Sequence, residues 1–510
     1  MKLAFMYLPM EESQIQKFYK GRNVFITGGT GFMGKALIEK LLRETDVETI
    51  YVLIREKKGK TPHMRIDSLF DDVIFDRVKI EKPKCRNKVE AIPGDCTIAG
   101  LGISIIDRQK LISNIDVVFH VAATVNFNEH LKLAYNINLN GTKDLLNLAR
   151  EMKNLKSIIH VSTAYSNCQR IQINEEIYDH PVKSSDLEAL LEKMTDEEVS
   201  SCEPKILGEW PNTYTFTKAL AESLVKEMSG TMPLGVFRPG IVISTCREPV
   251  PGWIDNLYGP TGVAVGTISG VLRVSPCDTS KRADLVPVDT CVCGLIASAW
   301  DVAERKEERK PDNIPVYNYV ASPENPILWD EFLKLNFLHG VNYTPSSAIW
   351  CPYAVLTTNV YLYWILRLLL HTLPAFFIDL VTYAIGGKPK LLKVYKKIHK
   401  FSELVAFFCM REWNFTNSNT QKLWKKLNKT DQDLFPLSMT TVHWTMYFRI
   451  YVKGVRKYLL KDDDSTLERS RIKNKRFMLV HKILTIFFVC LTSYIFISCI
   501  SRLYNCILGI

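Results

Sequence analysis

Between Val24 and Gly34 the chain reads Val-Phe-Ile-Thr-Gly-Gly-Thr-Gly-Phe-Met-Gly, a β-branched and aromatic run that passes straight into a TGxxGxxG turn. Few folds use such a turn. Glycines at 28, 31 and 34 let the backbone turn tightly, approach a pyrophosphate and pack a helix against a strand. The helix that follows, from Lys35 to Leu42, then aims its N-terminal amides at the phosphates. Thr27, Gly28, Gly31, Phe32, Met33 and Gly34 are therefore expected around a dinucleotide.

The runs 23–27, 49–54, 89–94, 116–121, 157–162 and 234–238 read as strands, and 138–152 and 214–228 read as helices from their apolar spacing. The alternation predicts an α/β fold: a doubly wound parallel sheet over residues 22–310, after a lead-in at 1–21. Charged residues 301–310 and Pro311 mark its boundary. A short strand over 315–320 and a connecting segment of apolar, membrane-associating helices (311–385) follow, then a basic, aromatic, mostly helical module (386–465).

The 510 residues carry a net charge of +11, unevenly placed: 22 Lys and Arg against 8 Asp and Glu lie between Gly386 and Lys482, so the rest of the chain is slightly acidic. The apolar stretches beside this basic region favour an anionic membrane surface, or an anionic substrate such as a coenzyme A ester, over nucleic acid. Thirteen scattered cysteines without a CxxC pair indicate neither a disulfide framework nor a zinc site, and a reducing compartment fits. The chain shows no signal-peptide pattern before the nucleotide motif, which places the catalytic part in the cytosol.

Residues 483–500 are uncharged and long enough to cross a hydrocarbon core. Arg469, Arg471, Lys473, Lys475, Arg476 and Lys482 precede them, which predicts a C-terminal transmembrane anchor with its N-terminal side cytosolic. The apolar stretch 349–385 is interrupted by Arg367, His371, Pro374 and Asp379. One pass would put the basic segment and the nucleotide domain on opposite sides, so a surface-embedded or re-entrant element is expected, with a substrate-tunnel wall as the alternative.

Tyr214 and Lys218 form a YxxxK pair: four apart on a helix, they share a face, where an ammonium can lower the phenol's pKa and let Tyr214 act as an acid. Ser162 and Thr163 end the preceding strand with hydroxyls able to hold a carbonyl oxygen, and Asn138 lies upstream. Arg55, after the second strand, stands where an NAD-binding chain would carry an acid, which favours the 2′-phosphate of NADPH. Asp95 is expected near the adenine, and Ala122 and Ala123 on the cofactor's far side.

Asn138, Ser162 or Thr163, Tyr214 and Lys218 together resemble the site of an extended short-chain dehydrogenase/reductase. By that resemblance Tyr214 protonates the oxygen that becomes negative during hydride transfer, and Lys218 also holds the nicotinamide ribose. Thr163 fits the hydroxyl position with Ser162 as fallback, and Asn138 positions a water for proton relay. Over nearly its whole length the chain further resembles the eukaryotic fatty acyl-CoA reductases, the insect and animal branch closest. The likeness rests on the segments 24–34, 160–165, 214–222, 252–262, 284–289 and 316–319 and on the basic aromatic module. Gly240 stands where that family usually has Ser. The resemblance implies NADPH-dependent reduction of a long-chain acyl-CoA to a primary alcohol through a bound aldehyde, with coenzyme A released. It also implies a membrane-held enzyme of the endoplasmic reticulum or peroxisome with a cytosolic catalytic domain, and it admits a homodimer. A hydroxysteroid or sugar-nucleotide enzyme would share the N-terminal motifs without needing the C-terminal module; a catalytically silent scaffold is the non-enzyme alternative.

Overall fold

The computed structural model describes residues 11–305 and 313–508; the start of the lead-in and part of the charged boundary at 301–310 lie outside them. Seven parallel strands form the central sheet: β1 (Val24–Thr27), β2 (Ile50–Ile54), β3 (Val89–Pro93), β4 (Val117–His120), β5 (Ser157–Val161), β6 (Leu234–Pro239) and β7 (Val316–Tyr319). Their order is 3-2-1-4-5-6-7, the doubly wound arrangement expected, with its switch point between β1 and β4. Residues of β1, β2, β4 and β5 are buried without alternation, because helices cover both faces. That is why these strands read in the sequence as unbroken apolar runs.

Three helices matter for the site: α1 (Phe32–Glu44), α2 (Gly141–Glu151) and α3 (Thr213–Met228). Gly31 is the N-cap of α1. A π-helical turn, Asn136–Asn140, leads into α2, and π-turns of this kind concentrate at functional sites. Asn212 starts α3, its side chain accepting the Thr215 N–H at 2.9 Å. Tyr214 is thus the second residue of a well-capped helix, and Lys218 follows one turn later.

Contacts divide the chain into two units. The first holds residues 1–255, 280–329 and 407–451; the second holds 256–279, 330–406 and 452–510. The boundaries anticipated near 310 and 385 are cut differently, because residues 407–451 return to the nucleotide unit. There Trp413 donates its indole N–H to the Cys168 carbonyl at 3.0 Å, and Arg282 pairs with Glu412 at 2.7 Å. The second unit is mostly helical, with a small parallel pair of Val274–Pro276 and Val355–Thr357. Among the described residues it contains two helices long and apolar enough to cross a membrane, Val360–Ala384 and Asp464–Arg502.

Candidate active site

Register brings the ends of β1 and β4 together, with Thr27 beside His120. Gly28 has φ +75°, and a Cβ there would lie 2.6 Å from the Ala122 backbone nitrogen, so only glycine lets the β1 turn pass the β4 loop. At Gly34 a Cβ would collide with the Gly28 carbonyl oxygen, which fixes the approach of α1 to the strand. Gly31 is exposed and a Cβ there would meet only that same oxygen, at 3.2 Å. The turn therefore leaves a cradle open at the N-terminus of α1, the fit expected for a pyrophosphate.

Several side chains expected at the cofactor have partners in the protein. Thr27 accepts the Ala122 N–H at 3.2 Å, and its hydroxyl lies 2.7 Å from His120 Nδ1. His120 Nε2 lies 2.9 Å from the Thr142 hydroxyl, which donates to the Asn138 carbonyl at 2.7 Å. Because Thr142 gives its proton to the Asn138 carbonyl, it can only accept from His120, so Nε2 carries the hydrogen and Nδ1 accepts the Thr27 proton. Burial pushes His120 down to about 3, so the ring stays neutral. Phe32 stacks on Trp253, ring centroids 5.1 Å apart, and Met33 is half-buried. Lys35, at the start of α1, is fastened to Asp72 at 2.7 Å and Asp255 at 3.0 Å.

Arg55 is half exposed and 3.5 Å from Asp95, whose other oxygen accepts the Thr97 N–H. Sequence reasoning missed Arg65. Its guanidinium donates to the Arg55 carbonyl at 2.6 Å and to the Thr30 hydroxyl of the glycine turn at 3.2 Å. Burial and the neighbouring Arg55 charge lower its pKa, and among the described residues it pairs with no carboxylate. Two guanidiniums thus face the end of β2. Only the fold of helix Pro62–Phe70 brings the second one there, and no spacing rule in the sequence announces it.

At the ends of β5 and α3 the two adjacent hydroxyls part company. Ser162 donates to Glu222, which also accepts from Ser166 at 3.0 Å and pairs with Arg238 at 2.6 Å; both members of that pair are essentially unexposed. Thr163 lies next to the Tyr214 side chain and acts to lower its pKa. Successive strand residues face opposite ways, so Ser162, the fallback, is bonded into the Glu222 network while Thr163 lies at Tyr214. Burial raises the Tyr214 phenol to about 12, against the pull of Thr163. Burial lowers Lys218 to about 8, with Glu222 opposing, and its ammonium donates to the Val161 carbonyl at 2.7 Å. The expected lowering of the phenol by Lys218 is not found: burial and Thr163 alone account for the shift of Tyr214.

Asn138 is buried and committed at both ends of its side chain: it accepts the Thr124 N–H at 3.0 Å and donates to the Thr217 hydroxyl at 2.9 Å. It ties the π-turn and the β4 loop to the helix that carries Tyr214. Ala122 enters through its backbone, and Ala123 lies half-buried beside it. Above the phenol stands an aromatic wall. Phe127 stacks on Tyr214 at 5.8 Å, Phe408 packs on Phe127 at 5.5 Å, and Tyr165 meets Phe408 and Trp413 edge-on. Gly240, the departure from the usual Ser, packs where a Cβ would lie 2.5 Å from the Asp284 carbonyl oxygen. Backbone proximity explains the glycine.

This arrangement can hold a carbonyl oxygen between two hydroxyls and give it a proton. Two family models, both described as male sterility protein, match the chain, an NAD-binding one over residues 26–295 and a second over 370–462. The sequence is 45% identical over 471 residues to the fatty acyl-CoA reductase wat of Drosophila melanogaster, covering 92% of this chain and 90% of that one. The chain belongs to the fatty acyl-CoA reductase family. Fatty acyl-CoA reductase 1 of Xenopus laevis is 39% identical and that of Homo sapiens 38%, each over 90% of this reductase and 88% of the relative. Among solved structures, the terminal R domain of the myxalamid PKS-NRPS pathway superposes with a TM-score of 0.56 at 20% identity, over 87% of this chain and 93% of that one. The R domain of a non-ribosomal peptide synthetase from Mycobacterium tuberculosis gives 0.54 at 17% identity, over 86% and 92%. These two show that the reductase has their fold. Its N-terminal domain is a nicotinamide-nucleotide-binding domain.

Proposed function

We propose that this reductase converts a long-chain fatty acyl-CoA to a primary alcohol, with NADPH as reductant and coenzyme A as leaving group. The observation that carries the reading is the placement of Thr163 next to the Tyr214 side chain, in a chain so similar to named fatty acyl-CoA reductases. A bound nicotinamide supplies a hydride for each of the two reductions. Thr163 and Tyr214 donate to the thioester oxygen, a bond that strengthens as negative charge develops there. With its phenol near 12, Tyr214 is protonated at neutral pH and gives that proton to the oxyanion. The hemithioacetal then loses the coenzyme A thiol, and the same two hydroxyls serve the aldehyde. Lys218, near 8, is mostly cationic at pH 7 and steadies the oxyanion from beneath. Asn138 keeps α3 in register with the β4 loop.

The preference for NADPH rests on Arg55 and Arg65, a guanidinium pair that suits a 2′-phosphate and has no counterpart in NADH. The aromatic wall of Phe127, Phe408, Tyr165 and Trp413 suits an acyl tail next to the reacting carbon. An anchor within Leu467–Leu508, with its basic start in the cytosol, would hold the catalytic unit on the cytosolic face of the endoplasmic reticulum or a peroxisome. The test is product analysis with a panel of acyl-CoAs and either NADPH or NADH. Fatty alcohol formed with NADPH supports the reading; no alcohol from any acyl-CoA, with turnover of a hydroxysteroid instead, overturns it.

A further inference from the structure

Helix Val360–Ala384 has the length and apolarity to cross a bilayer, and what it is bonded to decides whether it does. Its polar contacts fall at four-residue multiples. Arg367 pairs with Glu403 at 2.8 Å, His371 Nδ1 lies 3.1 Å from His399 Nε2 with Tyr395 stacked on its ring, and the Asp379 carboxylate accepts the N–H groups of Lys390, Leu391 and Leu392 at 2.9–3.0 Å. The partners 391, 395, 399 and 403 recur at the same interval along Leu391–Cys409, so the two helices are zipped antiparallel by a polar seam. Even the proline is answered: Pro374 cannot donate to the Leu370 carbonyl, and Arg273 does so instead at 3.4 Å.

Outside that seam the first helix is exposed and apolar, with Tyr361, Trp364, Ile365, Phe376, Phe377 and Val381 in the open. The second helix begins among Lys388, Lys390, Lys393, Lys396, Lys397 and Lys400. All six are exposed, and among the described residues none makes an ion pair. A crossing helix would drag this seam and its lysines through hydrocarbon, where cations are strongly disfavoured. A second observation agrees. The Arg273 N–H donates to His371, at the middle of the helix, while the Arg273 guanidinium sits 5.5 Å over Trp350, which stacks on Phe477 at 5.6 Å. Phe477 is five residues before Lys482, the last cation ahead of the apolar run 483–500. The hairpin's midpoint is thus two side chains from the anchor's entry into the bilayer. Half of a 25-residue helix reaches only roughly 19 Å from there, short of a core of about 30 Å.

We infer that Val360–Ala384 and Leu391–Cys409 form a hairpin lying in the plane of one leaflet, apolar face in the acyl region and lysines on the phosphates of anionic headgroups. It is a docking surface for an anionic membrane, and it goes beyond the catalytic reading without depending on it. The test uses the full chain in sealed microsomes, with Thr358→Cys or Lys388→Cys added and a membrane-impermeant maleimide counted by mass shift against the parent. Both variants gain one label without detergent if the hairpin is in-plane. If either needs detergent while the other does not, the helix crosses and the inference fails. In a second arm, a polarity-sensitive dye attached at position 388 of the Lys388→Cys variant is read in phosphatidylcholine vesicles with and without phosphatidylserine. A blue shift that needs phosphatidylserine, and that is lost when Lys393, Lys396, Lys397 and Lys400 are all changed to Gln, is expected; equal spectra overturn the anionic docking. So does a variant that keeps the shift but shows a several-fold higher KM for acyl-CoA, since the lysines would then serve the substrate's phosphates.

Discussion

Glu222 in the nucleotide unit and Asp379 in the second unit are both acids among apolar neighbours, yet their settings differ. Glu222 is enclosed, and its oxygens meet Ser162, Ser166 and Arg238 from separate segments of the core. Asp379 sits on a helix whose other faces are exposed, and it meets only the backbone at the start of the next helix. In the first unit protein covers both faces of the sheet, and the buried charges of Glu222 and Arg238 are answered from within. In the second the protein supplies one polar seam and leaves the apolar surface exposed. An acid in the first setting holds a core together; in the second it joins one helix to the start of the next.

The comparison can be broken at its catalytic end first. Tyr214→Phe should lower alcohol formation about 100- to 10,000-fold while NADPH binding, read by fluorescence titration, stays intact; retention of more than about a tenth of the activity would remove Tyr214 as the acid. Glu222→Gln leaves Arg238 buried without its counter-charge, and a loss of about 3–5 kcal/mol of stability is expected for such a break. Its thermal midpoint in detergent should fall well below that of the parent. An unchanged midpoint would mean the first unit does not depend on its internal pairs.

Arg55→Ala and Arg65→Ala each remove a charged donor, worth about 1.5–3 kcal/mol, so the ratio of kcat/KM for NADPH over NADH should shrink roughly 10- to 100-fold. A parent that uses both cofactors equally would refute this assignment. The pH profile gives a further check. Lys218 titrates near 8 and Tyr214 near 12, so kcat/KM should fall as pH rises through about 8, when Lys218 loses its charge while the phenol remains an acid. Lys218→Arg should keep whatever activity remains free of that limb, because a guanidinium does not deprotonate there. The smallest effect is expected at Asp379→Ala. It removes the acceptor that caps the next helix, worth about 1 kcal/mol, and should loosen protease protection of the segment around Gly386–Lys390 without altering turnover.

Much of the nucleotide unit was legible because its strands are covered on both faces and therefore read as unbroken apolar runs, with ends displaced by a residue or so. The glycine turn and the YxxxK helix were legible for the same local reason. What needed three dimensions was every choice settled by a distant partner. Ser162 and Thr163 look alike until Glu222, sixty residues later, claims one of them. Arg65 joins Arg55 only once its helix folds back to Thr30. The return of residues 407–451 to the first unit is invisible in a segment whose composition matches its basic neighbours. Asp379 looked like an interruption of an apolar run; its role as a cap needs the turn at Gly386 and Gly387.

The row of hydrogen bonds from Ala122 through Thr27, His120 and Thr142 to Asn138 has one further consequence. It begins at a peptide N–H and ends at a peptide carbonyl, and neither group serves as an acid or a base at neutral pH. Every bond in it points the same way, and His120 stays neutral down to about pH 3. The row is therefore an insulator, with no member that can relay a proton from one end to the other. On the reading of Tyr214 as the acid, the proton that recharges it after each turnover has to come by a route other than this row.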